Sequence, residues 1–269
     1  MQPGLAAFSI TTRACVHGVN EWQDMSLPHP LLITALIAVA LASMHVLAAR
    51  LRFLDVAPRS RWLSFAGGVS VAYVFLHILP ELSAHQATFA KGLDLGDKAA
   101  ETWVYAVTLT GMVIFYGLER LAKTFRARGT SAVDRSAGFW LHIGSFAINN
   151  VLVGYLLLHR EEAGLTSLLL YFVAMALHFL INDFGLREHH KAHYDHVGRW
   201  LLTAAPLVGW VLGATVTVSA TAVGFLFAFL AGGVLLNVLK EELPEERKSR
   251  FGAFVTGVVA FAVLLVLAR

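Results

Sequence analysis

The chain has 269 residues, 57% of them hydrophobic and only 14% charged, against about 25% charged in soluble domains. So few charges cannot cover a water-facing surface, which excludes an ordinary soluble domain and points to an integral membrane protein. A net charge of +3 argues for no nucleic-acid partner, and a single cysteine, Cys15, excludes both a disulfide framework and a thiolate zinc site.

Residues 1–30 read as a polar extracytoplasmic lead without the basic start and apolar core of a signal peptide, with Met25 as an alternative start. Residues 31–269 read as one membrane domain with the lipid bilayer as its partner. A spanning helix needs about 20 apolar residues. Eight segments qualify: Leu31–Ala49, Trp62–Leu82, Trp103–Leu121, Gly138–Leu158, Leu165–Leu186, Trp200–Val218, Thr221–Lys240 and Phe251–Ala268. Runs this long predict helices rather than barrel strands, so the fold class is all-α and polytopic.

Helix one carries His45, read as a satisfied packing histidine, and leads into a loop with Arg50, Arg52, Arg59 and Arg61. Helix two contains Ala66-Gly67-Gly68 and ends in His77-Ile-Leu-Pro80-Glu81. Helix three leads into a basic loop with Arg120, Lys123, Arg126, Arg128 and Arg135. Helix four holds His142, Ser145, Asn149 and Asn150. The first three share one helical face. They are either interhelical glue, at about 0.6 kcal/mol per bond, or donors to a cation.

Helix five holds the most telling stretch, from Ala174 to Gly185, with His178 and Asn182 one turn apart and Asp183 next. An ionised group in lipid costs about 2.5–3.5 kcal/mol on insertion scales. The stretch is therefore a cation site, or a helix end whose Asn182 and Asp183 reach headgroups. The loop after it carries His189, His190, His193 and His196 beside Asp195. It reads as weak metal capture or as a plain solvated segment. Helix seven begins its second half with Ala231-Gly-Gly and ends in Lys240-Glu241-Glu242-Leu-Pro244-Glu245, whose acids are donors or solvated helix-end charges.

Odd loops are rich in Lys and Arg and even loops are not, which predicts cytoplasmic odd loops and extracytoplasmic termini. Helices two and seven echo one another. Ala66-Gly-Gly-Val leads to Leu79-Pro80-Glu81, and Ala231-Gly-Gly-Val leads to Leu243-Pro244-Glu245, with spacers that differ by one residue. Two similar segments of opposite direction are a sign of an inverted repeat. Small residues for close helix packing explain the glycines alone.

These motifs resemble the ZIP family of divalent-metal transporters, from about Leu31 to the end. The match is strongest in His77-x-Leu-Pro80-Glu81 and in the Ala231-Gly-Gly and Leu-Pro-Glu elements of helix seven. The resemblance implies an eight-helix bundle of the ZIP type with its metal between helices four and five. On those helices the chain departs from the family pattern. His178 keeps the first histidine and Asp183 keeps an acid, while Asn182 replaces the second histidine, Phe179 an acid, Ile181 the proline and Asn149 the helix-four acid. Glu241 falls at the acid of helix seven. The implied metal site is His178, Asp183, Asn182, Asn149, Ser145 and Glu241, with His77, Glu81 and His142 along the pathway. Fewer imidazoles shift the expected cargo from zinc toward manganese or ferrous iron.

By the same resemblance, helices one, four, five and six move as a block past helices two, three, seven and eight. The expectation is a carrier of divalent metal in the plasma (inner) membrane, not an enzyme and without a prosthetic group, for which a homodimer is an admissible assembly. Two rivals stand beside it. One is a transport-deficient metal sensor or scaffold of this fold. The other is a membrane enzyme subunit, with His45, His77, His142 and His178 ligating haem or histidines and an acid holding zinc.

Overall fold

The computed structural model describes residues 30–48, 61–128, 132–160, 164–242 and 250–267, and among them the regular structure is entirely helical. The helices are α1 (Pro30–Ala48), α2 (Arg61–Leu93), α3 (Asp97–Arg128), α4 (Ala132–Leu156), α5 (Leu165–His193), α6 (Arg199–Thr215), α7 (Ala220–Glu242) and α8 (Phe251–Leu267). Seven are long and apolar enough to cross a membrane, and α8 is an apolar helix of 17 residues. The polar lead, the arginines at 50, 52 and 59, and the second Leu-Pro-Glu at 243–245 lie outside the described residues.

The distribution of side chains suits lipid on the outside. Leu36, Leu109, Val113, Ile148 and Val259 are more than half exposed, whereas His45, Asn149, Asn150, His178 and Asp183 are buried. Trp62, Trp140 and Trp200 stand exposed near the starts of α2, α4 and α6, as interfacial tryptophans do.

The most extensive pairings, α4 with α6, α2 with α8, α3 with α7 and α1 with α6, trace two sets of four helices that also meet along α3 and α4. In the first, α4 packs along α6, α6 along α1, and α1 along α5. Trp210 on α6 donates to Thr34 on α1 at 3.1 Å, and the Tyr171 hydroxyl on α5 donates to the Val153 carbonyl on α4 at 3.0 Å. In the second, α2 packs along α8, α3 along α7, and α2 against α3 and α7. Between the groups run the contacts of α3 with α4, α2 with α5 and α4 with α7. One of these is an apolar patch where Ile181 meets Leu63 and Ala66.

Glycine explains how three pairs of helices within the groups hold together. Lipid tails offer no hydrophobic drive for helix association, so close backbone approach and van der Waals contact must supply it. A methyl on Gly68 would overlap the Phe254 carbonyl of α8, and one on Gly257 the Phe65 carbonyl of α2. The same reciprocal fit joins Gly111 to Phe229 and Gly232 to Thr108, across α3 and α7. A third set, Gly154, Gly209 and Gly213, joins α4 to α6. Each of these seven glycine-to-backbone approaches stays inside one group.

These contacts also correct the register of the internal echo. Phe65 and Gly68 of α2 play the part that Phe229 and Gly232 play in α7, and Phe254 and Gly257 of α8 the part of Thr108 and Gly111 in α3. Aligned by contact, Gly68 matches Gly232 rather than Gly233. The two Leu-Pro-Glu sequences then fall in line with no difference in spacer.

Two helices run further than the sequence suggests. Helix α2 does not end at Glu81 but continues to Leu93. Pro80 lacks the N–H that would bond one turn back, and a π-turn at Val74–Ile78 sits just before it and absorbs the mismatch. Likewise, the histidine-bearing connection after helix five is not an open loop. Helix α5 runs to His193, and a π-turn at Tyr194–Gly198 delivers the chain into α6.

Candidate functional site: a polar seam and a closed cluster

The polar residues of α4 and α5 point two ways. Successive helical residues lie about 100° apart, so His178 and Asn182 share a face while Asp183 turns about 140° from His178. Asp183 turns inward to α1. His45 Nδ1 lies 2.7 Å from Asp183 Oδ2, with both side chains 1% exposed. Asn150 Nδ2 lies 3.0 Å from His45 Nε2. An amide N–H donating to Nε2 leaves the imidazole proton on Nδ1, aimed at the carboxylate. Phe179 stacks on the same imidazole at 4.7 Å, and the buried Tyr194 hydroxyl faces the carboxylate outside hydrogen-bond geometry. His45, Asn150, Phe179 and Asp183 thus form one cluster inside the first helix group, in which Asp183 Oδ1 and Asn150 Oδ1 keep no partner.

That cluster divides the expected metal donors of α5 between two faces. His178 and Asp183 do not converge. Among the described residues, no three His, Cys, Asp or Glu side chains come together as a metal-holding group. His178 receives Asn182 Nδ2 at 3.0 Å on its Nε2, and Asp183 Oδ2 is taken by His45. His45 is a satisfied packing histidine, with Asp183 on one ring nitrogen and Asn150 on the other.

The other face opens on the boundary between the helix groups. Two small adjoining recesses, each with room for about one water molecule, lie between α4 and α5 on one side and α3 and α7 on the other. His142, Ser145 and Asn149 line the second recess together, as their spacing predicts. Asn182 and His142 line the first. Facing them are Glu119 of α3 and Asn237 and Lys240 of α7. Asn149 is 2% exposed, and neither its amide nitrogen nor its oxygen has a hydrogen-bond partner. The Asn182 oxygen is also unpartnered. A buried amide left unpaired costs about 1–3 kcal/mol, so this seam holds polar capacity that the protein itself does not use. Ser145 is already committed, donating to the His142 carbonyl at 2.8 Å.

No protein-family model matches the chain, and no curated protein matches it.

Glu119, Asn237 and the paired role of His45 are the residues that sequence reading missed. Glu119 had a local signal, since Lys123 follows one turn later, in the favourable order for a helical ion pair. The remaining expected residues are scattered. His77 Nε2 lies 3.5 Å from Glu81 Oε2 in the interior of α2, with Tyr73 stacked on His77 at 4.9 Å. Both belong to a mid-helix cluster rather than to a helix end. His193 and His196 are exposed. The side chains of His189, His190 and Glu241 lie outside the described residues.

Proposed function

We propose that this protein is a carrier of divalent metal cations that works by alternating access, with the cargo passing along the seam between the two helix groups. The observation that carries the reading is Asn149. A buried amide with both polar atoms unpaired lines a recess between two groups, and glycine contacts clamp helix pairs within them, α4 to α6 in one and α2 to α8 and α3 to α7 in the other. Such an arrangement suits two rigid bodies that slide past each other and a polar passenger that completes the hydrogen bonding between them. The division of helices one, four, five and six from two, three, seven and eight supports the ZIP resemblance as part of the same proposal.

The polar groups that line the cargo's path are the Glu119 carboxylate, the Asn149 and Asn182 amides, the Ser145 hydroxyl and the His142 imidazole. This mostly oxygen set ranks manganese and ferrous iron before zinc. The engaged state of His178 Nε2 and Asp183 Oδ2 supports a second reading, a fold of this kind that binds metal without moving it. Purified protein in liposomes loaded with a metal-quenched dye separates them. Saturable quenching by external Mn²⁺ supports the carrier, and Mn²⁺ binding without quenching supports the second reading.

A further inference from the structure

The acid on the seam already holds a cation. Glu119 is 8% exposed, and its Oε1 lies 2.7 Å from Lys240 Nζ on α7 and 2.7 Å from Lys123 Nζ one turn along α3. Lys123 is half exposed, at 50%, whereas Lys240 is 28% exposed and lines the recess with Glu119, His142 and Asn182. Glu119 is the one acid among the residues lining either recess. The unpartnered Asn149 amide opens on the second recess, against the same carboxylate.

We infer that Lys240 is a tethered counter-cation. Its ammonium occupies Glu119 in the absence of metal, and an incoming divalent ion displaces it. Three observations combine here. The carboxylate is the strongest cation ligand on the recess. The nearest unused ligands, the Asn149 and Asn182 oxygens, are neutral and cannot hold a cation by themselves. Lys240 stands in the last turn of α7 on a flexible four-carbon stem, so it can withdraw toward the helix end without moving the backbone. Lys123 keeps Glu119 paired when Lys240 leaves, so displacement does not strand a bare buried charge. A built-in competitor of this kind lowers metal affinity and eases release, which a carrier needs and a storage site does not. The inference rests on the seam as the cargo's path.

The test uses Mn²⁺ alone, by titration calorimetry on the full chain in detergent micelles. Lys240→Gln tightens Mn²⁺ binding about tenfold or more, Lys123→Gln leaves it within about twofold, and Glu119→Gln added to Lys240→Gln removes the gain. Unchanged or weaker binding in Lys240→Gln overturns the inference. A second measurement uses the unaltered protein and so does not depend on a variant that folds. Amine labelling of Lys240, read by mass spectrometry against Lys98, rises several-fold when Mn²⁺ is added. Labelling that stays level or falls overturns the inference. Tight binding by Lys240→Gln in a protein without any Mn²⁺ flux defeats the carrier reading but leaves the tethered cation standing.

Discussion

The two polar regions of α4 and α5 are built from adjacent residues and do opposite things. Asn150 Nδ2 and Asp183 Oδ2 both reach His45, across three helices of one group, while Asn150 Oδ1 and Asp183 Oδ1 keep no partner. Asn149 and Asn182, each one residue away, turn to the boundary between groups, where amide atoms remain unpaired. The contrast separates structural polarity from functional polarity. A polar group held by a partner within one group fixes a packing, and an amide at the boundary with neither polar atom paired, as at Asn149, has capacity for something that arrives from outside.

Removing His45 gives the largest expected effect. In His45→Leu, Asp183 stays buried without its partner, at a cost of about 3–5 kcal/mol. Thermal unfolding in micelles shows a large drop, and the double variant His45→Leu/Asp183→Leu regains most of it. If the double variant is no better than the single one, the cluster is not a self-contained pair.

Next come the glycines. Gly209→Ala puts a methyl into the Val151 carbonyl and costs about 1–3 kcal/mol, whereas Gly144→Ala meets nothing within 4 Å and leaves stability within about 0.5 kcal/mol. Equal losses at both positions would undo the claim that glycine contacts clamp α4 to α6. The smallest stability effect belongs to Asn149→Leu. It removes an unpaired buried amide and leaves the protein as stable or about 1 kcal/mol more so, the reverse of the sign expected at His45. A loss above about 2 kcal/mol would mean that Asn149 has a structural partner.

The helical class and most span boundaries are legible in the sequence because apolar length is a local property. So is the shared face of His142, Ser145 and Asn149, which follows from spacing within one helix. The pairing of His45 with Asp183 is not local. Periodicity places Asp183 on a face of α5 but does not say which of seven other helices lies against it. The continuation of α2 past Pro80 depends on a π-turn that has no apolar signature, so the proline reads as an end. Glu119 looks like a helix-end charge until α7 brings Lys240 alongside it. The one-residue error in the internal echo has the same origin. Ala-Gly-Gly is a conspicuous string, but the helices meet at Gly68 and Gly232, which occupy different places within it.

The central claim is that a cation crosses between the helix groups at Asn149, and flux tests it most directly. Liposomes carrying the unaltered chain take up Mn²⁺ saturably, and those carrying Asn149→Leu, folded and inserted to the same extent, take it up at least about tenfold more slowly. Equal uptake by the two proteins, or none by the unaltered chain, contradicts the account.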